Sequence, residues 1–442
     1  MTPHEADVES ASTVHDVLCI ERQGQEQLPV QIPDGGFDAW MVVVSGFITT
    51  MNVFGFVNSF GVFQTRYVSR GGLLSKYSPS AVSVIGSVET FFVFFPALVI
   101  GRLADAGYIR SLVFGGTCMM VFGILMTSID KTGQYYEFFL AQGVCIGLGL
   151  CPIFIPPVTL CAHWFRRKHA LALGITAAGA SVGGCLYPIL LNLLFPKIGF
   201  SWSMRVVALI IAVTQIIPLI FLKSRMPFRK LKGQTFFDVQ VFRNPAYVLV
   251  HIGLFLAFWG LYTPFYDLEI FAISNNVPVT LAFYMLPITS AASACGRVLL
   301  AFVADRYGCV NSIIPSVAAA ASLLFIWLAC TTQSTVIAFC VLYGCASGAV
   351  VSLSVSVVTS LSNDPAKNGI RTGQMLTLCS IATLTGPPIA NAIIESVSQL
   401  LPGDGTKVFD GGAIFSGSVV MAGLACLVVA RFMYDRRLCV KV

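Results

Sequence analysis

Arg297 is the only charged residue between Val279 and Val303. A guanidinium in so apolar a run is costly in a membrane, so it turns to a cavity or a partner. Its planar fork suits a carboxylate gripped by two parallel hydrogen bonds. The alternative is a salt bridge, or snorkelling to the interface, since Asp305 follows about two turns later. Glu89 is the one carboxylate clearly inside an apolar run of the first half. It could take up and release a proton, stay a neutral hydrogen-bonding acid, or tie two helices together. A third chemistry is that of a switch. Gly101-Arg102-Leu103-Ala104-Asp105 is followed by Arg110, and Gly296-Arg297 followed by Ala304-Asp305 stands 200 residues downstream. Glycine lets a helix end turn tightly. Asp105 can face a helix N-terminus or a basic partner such as Arg102 or Arg110, a contact able to form in one conformation and break in another. The alternative is an ordinary charged inner loop, and the echo near Asp305 counts against it.

These residues must be positioned by elements that live in lipid. The chain has 442 residues, 56% hydrophobic and 11% charged, with mean hydropathy +0.80. Soluble domains carry about 25% charged residues. Each spanning helix needs about 20 apolar residues, and twelve such runs can be drawn. They are 40–63, 80–101, 110–129, 136–160, 170–194, 204–222, 246–270, 279–303, 310–330, 333–358, 372–396 and 411–433. Only helices or closed barrels satisfy the backbone in lipid, so the expected fold is an all-α membrane protein of 12 transmembrane helices.

The longest basic interruption, 223–245, divides the runs six and six. The expected plan is a disordered acidic tail over 1–33, a six-helix half over 34–222 and a central cytoplasmic loop over 223–245. A second six-helix half then spans 246–433, with a short tail over 434–442. With the N-terminus inside, inner loops and tails hold 19 of the 27 Lys and Arg residues and outer loops seven. The positive-inside rule therefore puts both termini in the cytoplasm, with the plasma membrane as the expected site. The net charge of +6 reflects topology, not a nucleic-acid partner. The cysteines are scattered with no metal spacing, and the acidic tail has no signal-peptide core. No metal-ligand set, nucleophile elbow or phosphate loop is present, so neither an enzyme nor a cofactor is expected.

Two similar six-helix halves, with cargo bound between them, are how many secondary transporters are built. The Gly-x-Leu-Ala-Asp loop resembles the loop 2–3 motif of the major facilitator superfamily. Two further segments resemble its monocarboxylate-transporter family. One is Pro33-Asp34-Gly35-Gly36-Phe37-Asp38-Ala39-Trp40 before the first helix. The other runs from Gly147-Leu148-Gly149 through Trp164-Phe165-Arg166-Arg167-Lys168 to Ala178-Gly179-Ala180-Ser181-Val182-Gly183-Gly184. The small residues there suit close helix packing, and the basic cluster suits an inner anchor. Gly101–Tyr108 is most similar to the fungal branch.

The resemblance implies the superfamily fold, two pseudo-symmetric halves, and a site on matching positions. Animal lactate carriers place a lysine in helix 1 and an aspartate–arginine pair in helix 8. Here the lysine position holds Asn58, the aspartate position Ser293, and Arg297 matches the arginine. The proton-coupled pair is absent, which argues against lactate-type cotransport. Asn52 and Tyr284 join Asn58, Ser293 and Arg297 as candidate cargo contacts. Of the other polar residues within spans (Gln142, Asn192, Gln374, Asn391), some line a cavity and some bind helices together. The expected function is secondary active transport of an organic acid or metabolite by alternating access, with protons as a candidate partner. Efflux of a secondary metabolite is the leading form, uptake of a monocarboxylate or vitamin-like acid the second. A non-transporting membrane sensor is the alternative class.

Overall fold

Leu209 and Leu299 are 63% and 65% exposed, whereas Ser45, Thr49 and Asn52 are fully buried. That inversion of the water-soluble pattern makes lipid the solvent of the outer surface. The computed structural model describes residues 34–68, 72–129, 133–223, 243–361, 367–400 and 407–434. The tail expected over 1–33, all but Tyr434 of the tail expected over 434–442, and most of the central loop lie outside the described residues.

Eleven described helices are long and apolar enough to cross a membrane. They are α1 (Phe37–Val68), α2 (Ala81–Asp105), α3 (Ile109–Ile129), α4 (Tyr135–Trp164), His169–Phe221, α7 (Pro245–Ser274), α8 (Val279–Tyr307), α9 (Cys309–Ala329), α10 (Gln333–Ser360), α11 (Asn368–Val397) and α12 (Asp410–Tyr434). His169–Phe221 contains both α5 (169–198) and α6 (199–221), because Gly199 leaves helical geometry with φ 75° and reverses the chain. The sequence puts a loop over 195–203; the structure keeps it helical apart from that glycine. Twelve spans result, in two six-helix halves.

Local chemistry fixes several boundaries. Ser78 caps α2, accepting from Ala81 N beside Pro79. Asn244 does the same for α7 beside Pro245, and Thr332 and Thr335 form a capping box on α10. The two halves repeat one turn: Gly107 after α2 and Gly308 after α8 both have φ 98°. Within the halves α1 packs on α5 and α8 on α10; across them α5 meets α8 and α2 meets α11. Glycines set the closest approaches. A Cβ on Gly179 or Gly183 would strike the carbonyl oxygens of Phe47 and Met51 on α1.

Candidate functional site

A cavity of about 450 Å³ lies between the halves, within the usual range of small-molecule sites. Helices α1, α2, α4 and α5 contribute one wall, and α7, α8, α10 and α11 the other. Phe54, Phe91, Phe94 and Phe154 face Phe258 and Phe265 across it. Gln64, Ser83, Glu269 and Asn391 extend it toward the end of the molecule that carries the α1–α2 and α7–α8 loops.

Arg297 lines the cavity close to its other end. Its Nη1 donates to the Ala177 carbonyl at 2.8 Å and its Nε to Ser293 Oγ at 3.2 Å. Ser181 Oγ in turn donates to Ser293 at 3.2 Å. Two of the five guanidinium donors are thus used on neutral acceptors. Among the described residues no carboxylate pairs with it. Asn58 and Ser293 line the same space, so the three positions matched to the lactate carriers come together. The Asn58 side chain makes no hydrogen bond among the described residues. It ends the first stretch of α1, where Ser59 Oγ turns back to the Gly55 carbonyl at 2.7 Å.

Other predicted residues lie elsewhere. Asn52 is buried outside the cavity lining, donating to Thr214 at 2.8 Å and accepting from Tyr187 OH at 2.7 Å. It binds α1 to α5 and α6. Tyr284 is exposed near the start of α8, edge-on to Phe283 and away from the lining.

Glu89 is fully buried between α2 and α4. Its Oε2 accepts from Gln142 Nε2 at 3.2 Å, and Gln142 Oε1 accepts from Tyr67 OH at 2.7 Å. The Oε1 atom of Glu89 has no partner. One acid escaped the sequence reading. Asp267 on α7 is buried, and Asn391, with its amide turned to donate, stands 3.0 and 3.1 Å from the two carboxylate oxygens. An acid so near the end of an apolar run, with its partner 124 residues away, offers no local signal.

The opposite end of the molecule is shut by two matched contacts. Asp105, closing α2, accepts from Gly369 N and Ile370 N at 2.9 Å each. Asp305, on the last turn of α8, accepts from Ala170 N and Leu171 N at 2.8 and 2.9 Å. Each carboxylate sits at the N-terminus of a helix from the other half, where unpaired N–H groups and the helix dipole favour an anion. A Cβ on Gly101 would strike the Gly369 carbonyl, so this glycine admits the contact. Arg102 is buried at the same closure. Arg110 instead caps α6, donating to the carbonyls of Leu222 and Ile220 at 3.1 Å each. His169 adds a bond to Thr359 of α10 at 2.8 Å.

The two signature segments also meet. Asp34 Oδ1 accepts from the backbone N–H of Arg166 and Arg167 at 2.6 Å each, and Trp40 stands edge-on to Phe165 at 5.3 Å. The motif ahead of α1 therefore pins the turn between α4 and α5.

A family model described as Major Facilitator Superfamily matches residues 39–387. The MFS transporter asaE of Aspergillus flavus is 36% identical over 415 residues, covering 93% of this chain and 90% of its own length. The aspyridones efflux protein apdF of Emericella nidulans is 33% identical, covering 88% of this chain and 78% of its own. The human organic anion transporter MFSD10 (TETRAN) superimposes with TM-score 0.69 at 16% identity, over 88% of this chain and 99% of its own. A bacterial homologue of the iron transporter ferroportin, in its outward-facing state, gives 0.67 at 14% identity, over 90% and 100%. Identities so low bear on the fold alone.

Proposed function

We propose a cargo and a direction for a chain that belongs to the Major Facilitator Superfamily: outward transport of an acidic small metabolite with an aromatic or apolar body. The family's members are transporters, so the protein is a multi-pass membrane transporter of small molecules, neither an enzyme nor a sensor. Within the superfamily we place it in the fungal monocarboxylate-transporter-like branch, on its three motifs. The proposed membrane is the plasma membrane, and the placement of Lys and Arg supports cytoplasmic termini.

The observation that carries the cargo reading is Arg297. It lines a cavity walled by phenylalanines, two of its five donors are used on neutral acceptors, and among the described residues no carboxylate pairs with it. An anionic head can lie on the guanidinium while rings pack on the apolar wall. Ser293 and Ala177 hold the fork in place, so little ordering is lost on binding. Asn58, where lactate carriers hold a lysine, leaves one fixed positive charge at these positions and suits a bulkier, less charged cargo. Export finds support in the aspyridones efflux protein among the relatives. Asn52 acts by holding α1 against α5 and α6, and Tyr284 by contacting cargo only in another conformation.

Gly101, Arg102, Asp105 and Asp305 form the conformational switch, with Arg110 fixing α3 to α6 beside it. With both clamps made, the cytoplasmic end is closed and the cavity faces outward. Inward opening must break both clamps. Glu89 is the proposed proton carrier.

The test is flux into inside-out proteoliposomes of a panel of labelled aromatic acids and their methyl esters, with and without a pH gradient. The acid should be carried and its ester refused, and Arg297→Ala should lower acid transport at least tenfold. Equal handling of acid and ester, or unchanged kinetics in the variant, would remove Arg297 from the cargo site.

A further inference from the structure

The cargo reading leaves one buried arrangement unused. Residues 139–146 of α4 (Phe139–Ile146) form a π-helix. Such wide turns are rare and gather at functional sites. Gln142, in the middle of this one, is the only partner of the Glu89 carboxyl among the described residues. The other Glu89 oxygen is buried and unpartnered. A carboxyl with one vacant oxygen in an apolar wall is a place to hold a proton, and it is poor as purely structural glue.

The surroundings fit that use. Gly86, Ser87 and Thr90 on the same helix line the cavity, so Glu89 sits immediately behind its wall. The titratable groups facing it are Tyr67 of α1, through Gln142, and Tyr266 of α7, which approaches Thr90 and Glu89 from the other half with Asp267 beside it. Helix α11, also packed on α2, brings no charged side chain into contact with Glu89 among the described residues. A Cβ on Gly143 would press on the Ile85 carbonyl, and one on Gly147 on the backbone of Glu89. These glycines bring the π segment against α2.

We propose that Glu89 is a proton-binding site whose state is read out by the π-helical turn of α4. The inference rests on the proton-carrier reading above and supplies its mechanical element. With Glu89 ionised, the Gln142 amide donates to a full negative charge and holds the wide turn. Proton uptake turns the carboxylate into a neutral acid, and that bond loses its charge assistance. The segment then relaxes toward α-helical geometry, which changes the register of the outer part of α4 relative to the rest. Gln142 passes the change to Tyr67, packed among Phe63, Phe138 and Phe200.

The experiment uses the full chain in lipid nanodiscs without cargo. Hydrogen–deuterium exchange of 139–146, expressed at each pH as protection relative to the intrinsic amide rate, is followed from acid to alkaline pH, alongside the infrared band of protonated carboxyls. In the native chain the protection of this segment should change about tenfold across the titration, the factor separating a charge-assisted from a neutral hydrogen bond. Glu89→Gln should remove one titrating carboxyl band and fix the protection at its acid value. Gln142→Leu, which keeps the acid, should retain the band and lose the pH response of the segment. A pH response that survives in either variant, or a Glu89 band that never titrates, would overturn the proposal. Acid–ester selectivity at Arg297 is a separate readout, so either reading can fail while the other stands.

Discussion

Replacing Asp305 by Asn should open the closed end of the molecule by an amount the two N–H bonds determine. The carboxylate accepts from Ala170 and Leu171 at 2.8 and 2.9 Å. Asparagine keeps one acceptor oxygen, so one charged hydrogen bond and the charge at the N-terminus of α5 are lost. A hydrogen bond to a charged group contributes about 1.5–3 kcal/mol, and a carboxylate at a helix N-terminus about 0.3–1 kcal/mol. Asp305 is half-buried, so screening favours the lower end of both ranges. The loss is then about 2 kcal/mol, a factor of about 30 in the balance between closed and open forms. Asp105→Asn should give a similar shift through Gly369 and Ile370. The two clamps bridge different helix pairs, so the double variant should lose about 4 kcal/mol if the effects add. That is enough to invert a preference of a few kcal/mol. Spin labels carried on non-natural residues at Arg167 and Arg306 would report the separation of the two halves at this end. Single variants should add a longer-distance population, and the double variant should make it dominant. A double variant with the native distance distribution, folded and monodisperse, would refute the idea that these aspartates hold the end shut.

Gly183→Val should lower thermal stability by several degrees, consistent with about 1–3 kcal/mol for overpacking. Its side chain would strike the Met51 carbonyl and part α1 from α5; an unchanged melting temperature would show that the seam yields freely. Asp34→Ala removes the acceptor of two N–H groups at Arg166 and Arg167 and should cost about 1–2 kcal/mol. Acid–ester selectivity should stay native, and a changed selectivity would place this turn in the cargo pathway instead.

Much of this was legible in the sequence, for identifiable reasons. Length and apolarity alone delimit spans, and the spacing of Asp105 and Asp305 exposes the repeat. What the aspartates bind was open, because their acceptance of backbone N–H groups leaves no mark on side-chain identity. The partner glycine and alanine, Gly369 and Ala170, read as ordinary small residues. Arg110 lies five residues from Asp105 and looks like its partner, yet the fold sends it to the carbonyl end of α6. Asn58, Ser293 and Arg297 could be nominated together because a family pattern aligns them. Their meeting in one cavity depends on α1 and α8 lying on opposite walls. The π segment was invisible, since Phe139–Ile146 has the composition of any apolar helix.

The turn at Gly199 has a mechanical consequence. Helices α5 and α6 are joined without a slack loop, so α5 behaves as a rod of about 45 Å fixed at both tips. One tip is gripped by Asp305 at Ala170 and Leu171. At the other, Phe195 and Phe200 rest on Phe63 and Tyr67, and Tyr67 leads through Gln142 to Glu89. A tilt at one tip is carried along the same helix to the other, so the aspartate clamp at one end of the molecule and the buried acid toward the other end share one structural element.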